Sequence, residues 1–388
     1  MIFGSVIAAL IAFLAAALTT GQRLYWLLAY TSGLLVVFSL VSVLSALRGV
    51  RCDILGLVPR GNRGESVNAI VKVTMKSFLP VGNVQLNLRL PSPLASSRGI
   101  HMTVPPRATR EYRFKVDLSH RGVYDVGIES VSISDLFGIL VLKRAIGGRL
   151  ARIEVVPAVR DEETLKIQAS DMGSESVRAM DEDAAFPSDI RAWQDGDELK
   201  HVHWKLTMRR RELIVRTFEE TARPDTLIVP DLSQTDGLPE ERLTLEDIIC
   251  EAALGSAKAQ LEAGCPIVLP LLSREPAEFA CRAAADMPLL QDAMLKVKFD
   301  SPYTYEQVLL QMQGRLQRTG GCVMITARLT SRDADTALRM QHMGVNCKVI
   351  WVTDNSRSDA MEMLEKLRME GVQAEKIDPW LFAGGGAV

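Results

Sequence analysis

Residues 191–220 read RAWQDGDELKHVHWKLTMRRRELIVRTFEE, and the character of the chain changes on either side of them. Asp195-Gly196-Asp197 predicts a turn, because Asp and Gly tolerate the backbone angles a turn requires. Leu199, His201 and His203 then alternate with Lys200 and Val202, which predicts an extended segment, and residues 212–218 predict a strand. Between them Arg209, Arg210 and Arg211 form a dense positive patch beside Lys205. Arg presents a planar fork of donors suited to carboxylate or phosphate. The same cations are equally placed for internal pairs with Asp195, Asp197, Glu219 and Glu220. His201 and His203, two apart on an extended segment, share one side as metal ligands do. No third ligand follows at a recognisable spacing.

Upstream the chain begins with two apolar runs, residues 2–18 and 24–47, joined by Thr19-Thr20-Gly21-Gln22-Arg23. Each run is long enough to cross a hydrocarbon core of ~30 Å at ~1.5 Å per residue. The first lacks the positive n-region of a cleaved signal, so residues 1–50 are expected as a two-helix transmembrane hairpin. Only Arg23 lies in the turn, whereas Arg48, Arg51, Arg60 and Arg63 follow the second run. That bias places the soluble domains and the N-terminus on the cytoplasmic side of an inner or plasma membrane.

Residues 51–160 switch to period two, at 67–75 and 84–90 and again at 111–116, 124–134, 139–144 and 153–156. Pro80, Pro91, Pro93, Pro105 and Pro106 punctuate the connections. This predicts a β-sandwich of immunoglobulin-like architecture, without the Cys-Trp-Cys signature of a true immunoglobulin domain. Arg121-Gly122-Val123-Tyr124 and Asp135-Leu136-Phe137-Gly138 read as turn chemistry, with Phe137 expected to plug the core.

An acidic linker carrying Asp171, Glu175, Asp181, Glu182 and Asp183 leads into the opening stretch, so residues 161–223 are linker plus signature. From 224 to 380 strands and helices alternate, which predicts a doubly wound α/β domain on a mostly parallel sheet. Strands are expected at 226–230, 266–272, 322–327, 345–352 and 372–377. Helices are expected at 243–263 (amphipathic), 305–317, 333–342 and 358–370. The first strand ends in Asp231-Leu232-Ser233-Gln234-Thr235. A carboxylate and two hydroxyls at the carboxyl end of a strand suit Mg²⁺ through hard oxygen ligands, or an ordinary cap for the next helix. Asp354 is a further acidic residue at a strand end, while the strand at 322–327 ends in Thr326-Ala327-Arg328.

A net charge of −2 is not that of a nucleic-acid binder. Cys52, Cys250, Cys265, Cys281, Cys322 and Cys347 include no CxxC pair and are expected as free, mostly buried thiols. No P-loop, HExxH, Ser-His-Asp or Cys-His pattern is present, so no enzyme is expected.

The run Arg191-x-Trp193-Gln194-x-Gly196-Asp197-x-x-Lys200-x-Val202-x-Trp204-Lys205-x-Thr207-x-Arg209, followed by Leu213-x-Val215-x-x-Phe218-Glu219, resembles the hallmark of the domain of unknown function 58 family. Trp193 stands where that family usually has Tyr, Asp195 for Pro, and Thr207-Met208 for a small pair. Lys200 replaces an Arg, and Lys cannot reproduce a bidentate contact. The likeness extends to the helix pair and the short motifs upstream. It implies a von Willebrand factor A-like C-terminal domain, to whose D-x-S-x-S metal signature Asp231, Ser233 and Thr235 are similar. It also implies a membrane-anchored scaffold that works with a MoxR-type AAA+ ATPase, and other membrane proteins, in complex assembly or maturation at the cell envelope. Arg191, Trp193, Gly196, Asp197, Lys200, His203, Trp204, Lys205, Arg209 and Arg211 are then the expected partner-binding residues. The rival readings are a metal-dependent hydrolase using Asp231 and His203, and a sensor of anionic lipid in the bilayer.

Overall fold

The computed structural model describes residues 2–90, 99–147, 150–161, 163–167, 189–194, 202–210, 212–217, 225–235, 237–304, 307–308, 311, 319–353 and 358–380. The chain divides into two compact units, Met1–Ala158 and Val159–Val388.

The first unit opens with α1 (Ile2–Thr20) and α2 (Arg23–Gly49), both long and apolar enough to cross a membrane. They lie side by side, with Gly33 so close that a Cβ there would meet Leu10 Cδ1 at 3.8 Å. Nine strands follow: β1 (Val50–Leu55), β2 (Arg60–Asn62), β3 (Ser66–Met75), β4 (Val84–Arg89), β5 (Gly99–Met102), β6 (Thr109–Asp117), β7 (Gly122–Ser134), β8 (Val141–Ala145) and β9 (Ala151–Val156). One sheet runs β1-β3-β6 and the other β2-β9-β7-β4-β5, with β8 on β7. The period-two reading holds residue by residue in β3 and β4. Ala69, Val71, Val73 and Met75 of β3 and Val84, Leu86 and Leu88 of β4 face one shared apolar core, which the lower part of α2 joins through Val43, Ala46 and Leu47. β1, β2 and β5 were not foreseen.

Asp135-Leu136-Phe137-Gly138 is a turn, as its chemistry predicts, whereas Arg121-Gly122-Val123-Tyr124 leads directly into β7. The Tyr124 hydroxyl donates to the carbonyls of His120 and Arg121 (3.1 and 3.0 Å). Asp135 is buried and accepts the N–H groups of Phe137 and Leu140 (3.1 and 2.7 Å), while Gly138 takes φ +68°. Phe137 is not the expected core plug. Asp135 folds the turn so that the ring stands outside, edge-on to Phe38 of α2 at 6.4 Å.

In the second unit β12 (Asp225–Pro230), β13 (Ile267–Leu271), β14 (Ala277–Cys281), β15 (Thr319–Thr326), β16 (Asn346–Val352) and β17 (Gln373–Ile377) form one sheet ordered β14-β13-β12-β15-β16-β17. Every pair is parallel except β13–β14. Successive residues of β12 serve opposite faces. Ile228 joins a core with α4 (Pro239–Glu262) and α5 (Met287–Lys296), and Leu227 and Val229 join one with α6 (Ser331–His342) and α7 (Ser358–Met369). β14 and α5 escaped the sequence reading. Most of the helix expected at 305–317 lies outside the described residues. Cys250, Cys281, Cys322 and Cys347 are buried and unbridged, and Cys52 and Cys265 are half-buried and free.

α4 corrects the expectation of an amphipathic helix. It is buried on two sides, because Arg160, Asp161 and Leu165 lie along its outer face. Arg160 pairs with the fully buried Glu251 at 2.9 Å, Lys258 meets Asp161 at 3.3 Å, and Leu165 packs onto Gly255. A Cβ at Gly255 would fall 2.3 Å from Leu165 Cδ1 and 2.8 Å from the Arg160 carbonyl oxygen. Gly in a helix costs about 1 kcal/mol against Ala, so only this close approach accounts for it.

Two predictions follow from this packing. Gly255→Val should destabilise the second unit by about 2 kcal/mol, within the usual range for overpacking, and thermal or urea unfolding measures it. Lys348, buried in β16 with its ammonium 2.6 Å from the Lys166 carbonyl, is held below the ordinary 10.5 by burial, against a smaller opposing effect of Glu375. Below its folded value both states carry the proton and the burial cost is complete. As pH climbs from that value towards 10.5 the native state releases the proton first, so stability rises. Lys348→Met should abolish this alkaline rise in the melting temperature.

Candidate functional site

The sheet order reverses between β12 and β15, and ligands of open α/β sheets bind at such switch points, at the carboxyl ends of the strands. Asp231 leaves β12 there, its N–H donating to Ile325 of β15 at 2.7 Å. Its Oδ1 accepts the Ser233 N–H (3.0 Å) and hydroxyl (2.6 Å), and the buried Thr326 hydroxyl lies 2.8 Å from Oδ2. Thr326 Oγ1 in turn accepts the Arg328 N–H at 2.9 Å. The Arg328 guanidinium swings back over the β12 loop, donating from Nη2 to Ser233 Oγ (3.1 Å) and the Gln234 carbonyl (3.0 Å). Asp333 closes the group from the first turn of α6, accepting the Thr330 N–H (3.1 Å) and hydroxyl (2.7 Å) in a capping box.

Burial raises the Asp333 carboxyl above the ordinary 3.8, the Thr330 hydrogen bonds pull it down, Asp231 pushes it up and Arg328 pulls it down. Beside this network a shallow recess, open to solvent, lies against Asp231, Leu232, Pro270, Leu272, Ser301 and Tyr303.

Of the expected metal set, Asp231 and Ser233 are brought together, whereas Thr235 is turned towards Glu246. The Ser233 hydroxyl is spent on Asp231 and Arg328, and Thr235 is buried with its hydroxyl directed to Glu246 at 3.4 Å. A guanidinium already supplies positive charge at Ser233, and a divalent cation beside it would meet repulsion. Among the described residues no three His, Cys, Asp or Glu side chains are grouped to hold a metal. Asp354 lies outside the described residues. Thr326, Arg328, Asp333 and Tyr303 were not assigned from sequence. Arg328 was visible there only as a basic residue where a metal site would place an acid.

The opening stretch forms a separate small element. β10 (Asp189–Ala192) pairs antiparallel with β11 (Ile214–Thr217), matching Arg191 with Val215, and the Trp193 N–H donates to Leu213 at 2.9 Å. Val202 bridges to Val215, and His203 donates its N–H to Ile214 at 2.8 Å. There the expected extended run ends, because His203 caps α3 (Trp204–Arg210). Its carbonyl takes the N–H groups of Leu206 and Thr207, and its Nδ1 lies 3.3 Å from the Leu206 nitrogen. Thr207 Oγ1 accepts the Ile214 N–H at 3.1 Å, locking helix to strand. His203 therefore acts as a helix cap, with Nδ1 an acceptor of a backbone proton. Trp204, Lys205, Met208 and Arg209 are exposed, and neither Lys205 nor Arg209 makes an ion pair with a described residue. Gly196, Asp197, Lys200, His201 and Arg211 lie outside the described residues, as do the acidic linker and the acids expected to pair with the cations.

A family model described as "Protein of unknown function DUF58" matches residues 189–362, from β10 into α7. The chain carries a DUF58 domain. No curated protein matches the sequence. Among solved structures, the chain is similar in part to the CARDB domain of the PF1109 protein from Pyrococcus furiosus, at 12% identity and TM-score 0.22 over 28% of this chain and 87% of that one. It is likewise similar to the C-terminal domain of wzt, at 12% identity and TM-score 0.22 over 29% and 75%. A beta-glucosidase from Listeria innocua reaches 15% and 0.17 over 26% and 16%. Likenesses of this size carry no argument for the DUF58 domain or the region before it.

Arg328→Gln tests the charge balance at the switch point. With the cation gone, Asp333 should titrate further above 3.8, as read from its carboxyl carbon by NMR of the full chain in detergent. The cost of ionising Asp333 is absent below 3.8 and complete above its folded value, so the variant should lose stability over a window that starts at the same pH and extends to higher pH.

Proposed function

We propose that this chain is a non-enzymatic scaffold, anchored in an inner or plasma membrane, whose cytoplasmic DUF58 domain recruits a protein partner. The observation that carries this reading is α3. Trp204 (58% exposed) and Met208 (81% exposed) stand one turn apart, flanked by Lys205 and Arg209, and Leu213 is exposed nearby. Trp and Arg are the side chains that most often dominate binding energy, and Met adapts to irregular partner surfaces. The hairpin behind them is already closed by Val202, Ile214 and Val215, so folding does not need the exposed pair.

We read the second unit as von Willebrand factor A-like. The strand order with its antiparallel edge, and Asp231-Leu232-Ser233-Gln234-Thr235 at the switch point, support this. The two-sheet region of the first unit is read as an immunoglobulin-like sandwich, supported by the core its sheets share. Arg48, Arg51, Arg60 and Arg63 after the second apolar helix, against Arg23 alone in the turn, support the cytoplasmic side. The partner class implied by the family resemblance is a MoxR-type AAA+ ATPase.

The test is capture of such an ATPase by the full-length protein. Trp204→Ala, or Met208→Ser with Arg209→Glu, should weaken capture about tenfold or more, equivalent to about 1.4 kcal/mol, while leaving the melting temperature unchanged. Undiminished capture by both variants would refute α3 as the docking surface.

A further inference from the structure

α1 has 19 residues and so spans about 28 Å, no more than a hydrocarbon core requires. Its first turn must therefore lie at the edge of that core if it crosses the bilayer. Phe3 in that turn packs against the apolar cluster that the last turns of α2 share with the β region, so this cluster extends to the same edge. α2 has 27 residues, about 40 Å, and its excess length is the part the β region covers. The antiparallel approach of Gly33 to Leu10 sets Phe38 level with Ser5 and Leu40 level with Phe3, so Ser42 lies at the level where α1 begins.

Two loops of the β region climb α2 to this level. In one, Phe137 lies edge-on to Phe38 at 6.4 Å. In the other, Ser42 Oγ donates to the Pro80 carbonyl at 2.6 Å, and the Ser45 and Ser77 hydroxyls lie 3.1 Å apart. Both loops turn large apolar side chains outward: Phe78 is 65% exposed, Leu136 53% and Phe137 54%. A cationic tier follows at the end of α2. The Lys76 N–H donates to Gly49, Arg144 Nη1 donates to Leu47 at 2.6 Å, and Arg48 and Lys143 are exposed beside them. Apolar tips followed by cations is the order of a bilayer surface, where hydrocarbon gives way to anionic headgroups.

We propose that the β region is seated in the membrane surface. Its 77–80 and 135–138 loops dip Phe78, Leu136 and Phe137 into the hydrocarbon edge, with Arg48, Lys76, Lys143 and Arg144 at headgroup level. The proposal rests on reading α1 and α2 as membrane-spanning, and its test separates the two ideas.

Full-length protein carrying Cys265→Ser is reconstituted in vesicles of phosphatidylethanolamine and phosphatidylglycerol. The half-buried Cys52 thiol, pushed up to about 12 mainly by burial, labels slowly at neutral pH. Nitroxides are attached singly at Phe78→Cys, Leu136→Cys, Leu34→Cys in the middle of α2, and Ser119→Cys. Ser119 lies just past Asp117, which pairs with Ser66 at the end of β3 away from α2. All four parent side chains are exposed, so the labels displace little packing. Collision with dissolved oxygen is compared with collision with a water-soluble nickel chelate. The oxygen-to-nickel ratio at Phe78 and Leu136 should shift to the side of Leu34, with Ser119 at the aqueous value. A lipid value at Leu34 with aqueous values at both loops overturns the seating and leaves the anchor standing. An aqueous value at Leu34 removes the anchor and the seating together.

Discussion

Glu251 is fully enclosed in the middle of α4, where an unpaired carboxylate would cost several kcal/mol. Arg160 meets it at 2.9 Å from the segment that enters the second unit, and that pair fixes the course of the segment along the outer face of the helix. Leu165 can then settle on Gly255, and α4 becomes an interior helix with the sheet on one side and the chain's own entry on the other. The architecture of the DUF58 domain follows from this. The central strands β12, β13 and β15 are covered on this face by a helix that is itself covered, so β12 and β15 are held rigidly and their carboxyl ends keep a fixed spacing. The switch-point network of Asp231, Thr326 and Arg328 inherits its geometry from that rigidity, since its two halves come from the two strands.

The parts of the fold legible in the sequence were those where one periodicity governed a whole element. β3 and β4 alternate because one face is buried and the other is wet, and β15 and β16 read as continuous apolar runs because helices cover both their faces. β14 carries only one buried residue and is joined to β13 by a short turn, so its pattern gave nothing to find. α4 misled for the opposite reason: a second burial surface came from residues some ninety positions upstream, which no local window can register. Phe137 was assigned to a core by its residue type. Its actual partner, Phe38, belongs to a helix one hundred residues earlier.

The site shows the same division. Asp231 could be found because an acidic residue at the end of a buried strand is a local feature. Arg328 could be noticed, but its role depends on β12 and β15 being neighbours, which is a matter of topology. The signature stretch mixes both kinds of residue. Thr207 and His203 serve the hairpin, capping α3 and holding Ile214, while Trp204, Met208 and Arg209 face outward from the same helix. Motif residues on one short element therefore divide into those that build it and those it displays.

The junction of α2 with the β region carries a mechanical consequence. β1 begins at Val50, the residue after the last helical position, with no linker between them. Three contacts then tie the last turns of the helix to two parts of the β region: Pro80 and Lys76 of the β3–β4 connection meet Ser42 and Gly49, and Arg144 of β8 meets Leu47. Each contributes about 0.5–1.5 kcal/mol, somewhat more for the charged Arg144. Their placement matters more than their sum, because attachments from two separate parts of the β region oppose rotation of the helix as well as translation. The helix and the β region therefore tilt as one body. A flexible tether would fix only the distance of the β region from the end of α2, whereas this junction fixes its orientation as well.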